Sequence, residues 1–156
     1  MINVEKLIGA EGLVYIGEGG GGVVYRIGSN SHCAIKMAHN DDEWTRDSFD
    51  NEYNMARALY HCKVSVPKPF GLTRIINPET KKVVPGFLMQ YVDGQTIFKI
   101  IPGELKEKII QLRDREVTYA KRIGFIPVDE DYPENAIWHP KEEKIYLIDF
   151  ALWKRR

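Results

Sequence analysis

The chain has 156 residues, the length of a single domain, and its 44% hydrophobic and 28% charged residues are ordinary for a globular protein and exclude a disordered one. Its 22 basic and 22 acidic residues give a formal net charge of +0, so bulk charge supports neither a nucleic-acid nor a membrane partner. No apolar run is long enough to span a membrane, and the N-terminal segment has acidic residues where a signal peptide would need basic ones, so we expect a protein of the cytoplasm or of a host cell's cytosol.

Five short runs rich in β-branched and aromatic residues, separated by glycine-rich or turn sequences, predict strands in the first part of the chain. They cover residues 12–17, 23–28, 32–38, 68–76 and 83–92. Short turns such as NPETKK join some of these runs, and we expect the five strands to form one antiparallel sheet. Cys33, inside the third run, is expected to be a small buried side chain.

A change of period after the third run predicts one helix within this sheet region. Residues of the expected buried face recur there at helical spacing: Phe49, Tyr53, Ala56 and Tyr60. The run Asn40–Asp42 offers N-caps and negative charge for the helix start, and Val66 and Pro67 are expected to end the helix. Cys62, at the end of the periodic pattern, is also expected to be buried.

The rest of the chain, from residue 93, predicts one long helix followed by a hairpin. The helix is expected over Gly103–Gly124, with Gly124 as its C-cap. Its apolar stripe consists of Leu105, Ile109, Leu112, Ala120 and Ile123. After an acidic loop, PVDEDYPEN, the runs Asn135–His139 and Lys144–Phe150 predict two strands joined by the turn PKEEK. The predicted fold class is therefore α+β, with a five-stranded antiparallel sheet and one helix, then a reduced helical part with a terminal hairpin.

The first candidate for chemistry is the glycine-rich connection between the first two strands. Three glycines and a valine fit the pattern GxGxxGxV: Gly17, Gly19, Gly22 and Val24. Glycine allows a backbone turn to approach phosphate groups closely, so that its N–H groups can donate to their oxygens. A glycine-rich hairpin without a ligand would also explain the pattern. A Walker A loop is excluded because no Lys-Ser or Lys-Thr pair follows and both flanking elements are strands.

A lysine and a glutamate form the second candidate. Lys36 is the only charged residue in the segment CAIKMA, and Glu52 lies beside Tyr53 near the buried stripe of the following helix. A lysine on a strand is more often directed to solvent, but a carboxylate on a buried helix face needs a cation to meet it. We therefore predict an ion pair between Lys36 and Glu52.

Asn135 and Asp149 form the third candidate because they lie at opposite ends of the predicted hairpin. Asp149 follows Asn135 by 14 residues, and a hairpin can bring two such side chains to one cation. Oxygen ligands of this kind suit Mg²⁺, which keeps several waters and bridges substrate phosphates. Each residue alone is unremarkable, since acidic loops and strand-end aspartates are common.

The order of these features resembles the signature of the protein-kinase superfamily: a glycine loop, a strand lysine, a helix glutamate, an acidic loop ending in PEN, and a strand followed by IDF. The resemblance extends over nearly the whole chain. It implies a single minimal kinase-like domain over residues 1–156, with a first lobe at 1–92, a truncated second lobe at 93–156 and ATP between them. It further implies ATP and Mg²⁺ as ligands and transfer of the γ-phosphoryl group to a protein substrate.

The resemblance assigns the phosphate and metal roles to individual residues. The glycine loop would cover the ATP phosphates through Gly17, Glu18, Gly19, Gly20, Gly21, Gly22 and Val24. Lys36 would hold the α- and β-phosphates and pair with Glu52. Asn135 and Asp149 would carry the metal ions.

The resemblance also places the adenine base. Val24 and Ala34 would lie against its face. The segment FLMQYVDG resembles the hinge that joins the two lobes of a kinase, with Met89 as the gatekeeper. Backbone groups facing the adenine edge would come from Gln90, Tyr91 and Val92.

The sequence departs from the family pattern at the catalytic loop and after it. Val128-Asp129-Glu130 stands where kinases have His-Arg-Asp, so the base that accepts the substrate proton would be Glu130. Its extra methylene could displace the carboxylate by about an ångström, which can cost on the order of 10² in rate, and Asp129 or Asp131 could serve instead. Asp149-Phe150-Ala151 replaces the family's Asp-Phe-Gly. No activation segment follows, so we expect a domain that does not use activation-loop phosphorylation.

Three functions remain open from the sequence. A pseudokinase-like module that binds nucleotide and acts through a protein partner is favoured by Glu130 and by the missing peptide platform. A small-molecule phosphotransferase is favoured by Pro133, although the helical insertions of such enzymes are absent. A compact protein kinase is favoured because the chain retains the family's phosphate and metal positions: Lys36, Glu52, Asn135 and Asp149.

With so small a second lobe, we expect a homodimer or a partner protein to cover apolar surface of the long helix.

Overall fold

The computed structural model describes residues 4–28, 32–128 and 135–156, and it shows a mixed α+β protein. The α-helices in these ranges are α1 (Val4–Glu11), α2 (Glu43–His61) and α3 (Glu104–Arg122). The strands are β1 (Leu13–Gly19), β2 (Gly22–Ile27), β3 (Cys33–Met37), β4 (Pro69–Ile76), β5 (Val83–Gln90), β6 (Gln95–Thr96), β7 (Phe125–Ile126), β8 (Ala136–His139), β9 (Lys144–Leu147) and β10 (Lys154–Arg155). The chain divides into two compact units, the first formed by Met1–Tyr53 and Pro69–Tyr91 and the second by Asn54–Lys68 and Val92–Arg156.

The first unit contains a five-stranded sheet in the order β1-β2-β3-β5-β4, and every neighbouring pair is antiparallel. This confirms the sheet predicted from the sequence. β2 shows why these residues form strands, because Val23, Tyr25 and Ile27 are buried and alternate with the less buried Val24 and Arg26. β2 therefore buries one of its faces, whereas the central strands β3 and β5 are buried on both.

The sequence predicts one helix in the sheet region, and the structure adds a second, α1. Its 8 residues are too few for a hydrophobic period to stand out, and Gly9 within it lowers the helix propensity. The helix ends where Gly12, at φ 75°, donates its N–H to the carbonyl of Ile8 at 2.6 Å. The buried side chain of Val4 anchors the first position.

Helix α2 begins at a side-chain cap that the sequence indicates. The carboxylate of Asp42 accepts the N–H of Thr45 at 2.7 Å. This bond satisfies one of the unpaired N–H groups of the first turn and lowers the pKa of Asp42, because the backbone N–H stabilises the ionised carboxylate. Of the three candidate caps in the run Asn40–Asp42, the structure therefore uses Asp42.

Helix α2 ends earlier than the sequence predicts. Lys63 adopts a left-handed conformation, with φ 65°, and its N–H donates to the carbonyl of Tyr60 at 3.0 Å. The Val64 N–H donates to the carbonyl of Leu59 at 3.0 Å, which completes a Schellman motif. The helix stops at His61 because this motif, formed without a glycine, replaces the helical hydrogen bonds. The proline expected to end the helix lies several residues further on.

The second unit combines α3 with two small sheets. β8 pairs with β9 and with β6, while β10 pairs with β7. The register from Ala136↔Leu147 to His139↔Lys144 confirms the predicted hairpin. Its second strand ends at Leu147, so the IDF segment lies beyond the strand rather than inside it.

The segment after α2 covers the free edge of β9. Leu147 donates its backbone N–H to the carbonyl of Ser65 at 2.8 Å, and the Ser65 hydroxyl donates to the carbonyl of Ile145. The carboxylate of Glu116 on α3 accepts the Ser65 N–H at 2.9 Å. β9 is therefore held between β8 and this segment, which fixes the position from which the IDF residues leave the sheet.

Helix α3 has the bounds and the C-terminal glycine that the sequence predicts, but only part of its apolar stripe is covered. Ile109 and Ala120 are buried, whereas Leu105 is exposed. Gly124 follows the helix at φ 102°. None of the helices in the described part of the chain is both long and apolar enough to cross a membrane.

The prediction that both cysteines are buried is wrong. Cys33 and Cys62, both among the described residues, form no disulfide, and each is partly exposed. Cys33 is the first residue of β3, and Cys62 lies in the turn that follows α2, so both occupy the less covered ends of their elements.

Candidate functional site

The first unit contains the ion pair that the sequence predicts. The Lys36 ammonium donates to both carboxylate oxygens of Glu52, at 3.1 and 2.8 Å. β3 presents the lysine and α2 the glutamate, and the two residues are only 6% and 3% exposed. Charges are rarely buried to this degree unless they are paired, so the partner charge accounts for the burial of each residue.

One aromatic ring lies beside the ammonium of this ion pair, and an aromatic pair joins α2 to the sheet next to it. The Lys36 Nζ lies 5.8 Å from the centroid of the Phe49 ring. One residue along α2 from Glu52, Tyr53 packs edge to face on Phe87 of β5, with the ring centroids 5.8 Å apart. These contacts hold α2 against the sheet and fix the depth at which Glu52 meets the lysine.

The strand register brings several predicted site residues to one face of the sheet. Val24 pairs with Lys36, and Ala34 pairs with Met89. Directly paired residues of antiparallel strands point to the same face, as do residues two apart on one strand. Val24, Ala34 and Met89, three of the residues expected to contact the nucleotide, therefore share the face that carries Lys36.

The glycine-rich connection between β1 and β2 approaches the lysine. Gly19 pairs with Gly22, so Gly20 and Gly21 form a two-residue turn. A Cβ on Gly21 would stand 3.1 Å from the Lys36 Nζ, and a Cβ on Gly22, which has φ 145°, would overlap the carbonyl oxygen of Met37. Glycine is thus required at position 22 by the fold, and at position 21 it keeps open the space beside the ammonium.

Packing within the described residues does not explain the remaining glycines of the loop. A Cβ on Gly17, Gly19 or Gly20 would meet no described atom within 4 Å. Glycine is entropically expensive to order, so a run of glycines that packing does not require suggests a backbone that something else approaches. Glu18, between two of them, is an exposed residue of β1.

The segment that follows β5 is fixed by contacts within the first unit. The Tyr91 N–H donates to the carbonyl of His32 at 2.7 Å, and the guanidinium of Arg26 lies 4.4 Å from the centroid of the Tyr91 ring. Because the Tyr91 N–H is bonded in this way, this donor of the predicted hinge is already engaged within the first unit. The cation–π contact of Arg26 has no signal in the linear sequence.

In the second unit the structure brings the two predicted metal ligands close in register. The Ile148 N–H donates to the carbonyl of Asn135 at 2.9 Å, one position beyond the Ala136↔Leu147 pair. Asp149 therefore comes directly after Ile148, the residue whose N–H contacts Asn135. It has φ 63°, a left-handed conformation that aspartate tolerates better than most side chains.

The residue after Asp149 is firmly held. Phe150 is buried and packs edge to face on Trp153, with the ring centroids 5.2 Å apart. The Trp153 N–H donates to the carbonyl of Phe150 at 3.0 Å. Asp149 thus lies between a sheet contact on one side and an anchored aromatic residue on the other, which maintains its unusual backbone.

Asn135 and Asp149 both carry oxygen atoms of the kind that bind Mg²⁺, and two such side chains alone would not make a complete metal site. In the part of the chain that the structure describes, no group of three or more His, Cys, Asp or Glu side chains could hold a metal ion. Two protein ligands fit Mg²⁺, which fills the rest of its octahedron with waters and phosphate oxygens. They do not fit Zn²⁺ or Ca²⁺ sites, which take more ligands from the protein.

The residues predicted to act as the base, Asp129, Glu130 and Asp131, lie outside the described residues. A further residue near the glycine turn was missed by the sequence reasoning: the His39 Nε2 lies 2.9 Å from the Gly19 carbonyl. β3 ends at Met37, which pairs with Val23, and the two residues that follow bring His39 to the turn, an approach that no sequence pattern indicates.

No protein-family model matches the chain, and no curated protein matches it by sequence.

Proposed function

We propose that this protein is an ATP- and Mg²⁺-dependent phosphotransferase of the protein-kinase type, acting on a protein hydroxyl. The single observation that most supports the proposal is the buried ion pair between Lys36 and Glu52 with the glycine turn beside it. A stable core does not need such a pair, because well-packed apolar residues are often at least as stabilising. A buried ammonium next to an open glycine turn is suited to binding the phosphates of a nucleotide.

The proposed roles follow from the chemistry of each side chain. Lys36, oriented by Glu52, would neutralise charge on the α- and β-phosphates, and the glycine turn would donate backbone N–H groups to the phosphate oxygens. Asn135 and Asp149 would hold Mg²⁺, which shields the charge that builds up between the β- and γ-phosphates. The left-handed backbone of Asp149 is consistent with this role, because strained residues cluster at functional sites.

The reaction itself is a single displacement. The oxygen of the acceptor hydroxyl bonds to the γ-phosphorus while the bond from that phosphorus to the β–γ bridging oxygen breaks, and ADP leaves. The hydroxyl proton passes to a carboxylate of the acidic loop at positions 129–131. The protein contributes mainly the positioning of the groups and the stabilisation of their charge.

A nucleotide-binding module that acts through a protein partner is the second candidate. Glu130 at the position of the catalytic base favours it, since a displaced carboxylate slows proton transfer without affecting nucleotide binding. The two candidates share the nucleotide and differ only in turnover, so one experiment separates them.

The test is incubation with γ-labelled ATP and Mg²⁺, alone and with a generic protein substrate. We expect transfer of label that falls by roughly 10² or more in Lys36→Met and in Asp149→Asn. Because Lys36→Met leaves a buried carboxylate without a partner, the double variant Lys36→Met with Glu52→Leu is measured beside it. This double variant removes the uncompensated charge but still lacks the ammonium, so it should remain inactive.

Lys82→Ala and Asp47→Ala are matched surface controls and should transfer label as the wild type does. Label that persists in the Lys36 variants would contradict the kinase proposal. Stabilisation of the wild type by nucleotide without any transfer would support the binding module, since a ligand at 100 times its Kd raises the free energy of unfolding by about 2.7 kcal/mol.

A further inference from the structure

The His39 ring links the segment that follows β3 to the glycine turn. Its Nε2 lies 2.9 Å from the carbonyl oxygen of Gly19 and 3.9 Å from the carboxylate of Glu18. A carbonyl oxygen can only accept, so the Nε2 carries the hydrogen and donates. One side chain thus contacts two successive residues at the point where β1 enters the turn.

The backbone that presents His39 is itself fixed. The Ala38 N–H donates to the carbonyl of Pro85 at 3.0 Å, and the Asn77 amide donates to the carbonyl of Ala38 at 3.3 Å. Asn77 is buried, and its side-chain oxygen accepts the N–H of Glu79 at 2.9 Å. His39 therefore extends from a hydrogen-bonded stretch of backbone toward the glycine turn.

The hydrogen bond to Gly19 determines the orientation of a peptide group. The Gly19 carbonyl and the Gly20 N–H belong to the same planar trans peptide, so they point in opposite directions. A peptide between two glycines can rotate easily, because neither residue has a Cβ to restrict it. When His39 holds the carbonyl, the Gly20 N–H is turned to the other side of the loop.

We propose that His39 is a positioning residue that orients the peptide between Gly19 and Gly20, so that the N–H at the tip of the turn faces the phosphates of the bound nucleotide. This inference rests on the proposed function and adds to it a residue that determines the direction in which the N–H at the tip of the turn points. A rotated peptide would present a carbonyl oxygen to the phosphates and repel them. His39 would therefore act on nucleotide affinity without contacting the nucleotide.

The test compares three substitutions at this position. His39→Ala removes the donor, His39→Phe keeps a ring without a donor, and His39→Gln supplies an amide N–H that can reach the same carbonyl. We expect KM for ATP to rise about threefold to tenfold in the Ala and Phe variants with kcat nearly unchanged, and to return most of the way in the Gln variant. His61→Ala, at the exposed end of α2, is the control and should leave KM unchanged.

A second measurement does not require nucleotide. NMR order parameters of the Gly20 and Gly21 amides should fall in the Ala and Phe variants of the free protein and recover in the Gln variant. If the wild type binds no ATP, the proposed function and the phosphate role of His39 are both overturned. If ATP binds normally, but KM and the order parameters are the same in all the variants, the role of His39 alone is overturned.

Discussion

The Lys36 ammonium and the Glu52 carboxylate are both removed from water, and each would be strongly destabilising without the other. Their two hydrogen bonds, at 3.1 and 2.8 Å, offset the loss of hydration but do not make the pair a large net source of stability. Removing one partner therefore lowers the free energy of unfolding much more than removing both does. The asymmetry distinguishes a buried pair from the exposed pairs elsewhere on the chain.

We predict that Lys36→Met and Glu52→Leu each lower the free energy of unfolding by about 3–5 kcal/mol, because each leaves one buried charge unpaired. The double variant should be markedly more stable than either single one. Urea denaturation followed by circular dichroism measures all three. Arg74→Ala is the exposed control. Arg74 pairs with Asp41 at 2.6 Å on the surface, and its loss should lower the free energy of unfolding far less. Additive losses in the double variant would show that the two charges are independent.

Residue-level features were predictable from the sequence where a side chain conflicts with its surroundings. A lone lysine in an apolar strand and a carboxylate on a buried helix face each require an explanation, and their pairing provides one for both. Features held in the backbone gave no such signal. Lys63 and Asp149 are left-handed, at φ 65° and 63°, and neither residue type alone indicates that conformation. Ala151 does not have a positive φ, so a glycine is not required there.

At the scale of elements, the hairpin of β1 and β2 is the part of the first unit most sensitive to glycine. Gly22, at φ 145°, lies against the carbonyl of Met37, whereas Gly20 has open space around its Cα and no positive φ. Gly20 lies in the turn and Gly22 is the first residue of β2, and only Gly22 is at a position where the fold requires glycine. Alanine substitutions at the two positions should therefore have different effects on the free energy of unfolding.

We predict that Gly22→Ala lowers the free energy of unfolding by about 1–3 kcal/mol, since the new Cβ meets backbone atoms that cannot move independently. Gly20→Ala should instead be neutral or stabilising by about 0.4–1 kcal/mol, because it restricts the unfolded chain at no cost to the fold. Thermal and urea unfolding of both variants provide the comparison. Equal destabilisation by the two substitutions would mean that the turn is more tightly packed than its contacts indicate.

The long elements were predictable because their residues repeat a period many times. The five strands of the sheet and the 19 residues of α3 lie within a few residues of their predicted positions. The short α1, and the two-residue strands β6, β7 and β10, have too few residues to show a period. Helix ends depend on caps, so α2 stops at a Schellman motif centred on Lys63 rather than at the expected proline.

At the scale of the whole molecule, sequence order and spatial grouping differ. The sequence suggests a boundary after residue 92, whereas the second unit also takes in Asn54–Lys68. Helix α2 therefore contributes its first half to one unit and its second half to the other. The hydrogen bonds of Ser65 to Leu147 and Glu116 explain this grouping, because they join distant parts of the chain that no local pattern connects.

Exposed apolar side chains in the second unit leave a surface that the expected second copy or partner protein could cover. Phe98, Ile101 and Leu105 are 74%, 84% and 53% exposed, and they occur within one short stretch that leads into α3. Apolar surface gains about 25 cal/mol for each Å² removed from water, so three such side chains favour contact with another apolar surface. The formal net charge of +0 means that two copies would not repel one another strongly.

We therefore predict that the protein forms a concentration-dependent homodimer through this stretch and that Ile101→Glu shifts it to the monomer. The added carboxylate would be buried without a partner in the dimer but hydrated in the monomer, so it disfavours association by desolvation. Sedimentation velocity over a hundredfold range of protein concentration measures the shift. Val83→Glu adds the same charge at an exposed position on β5 in the first unit and should leave the dimer intact. A wild type that sediments as a monomer at every concentration, or a dimer that Ile101→Glu does not weaken, would show that this apolar stretch has another role.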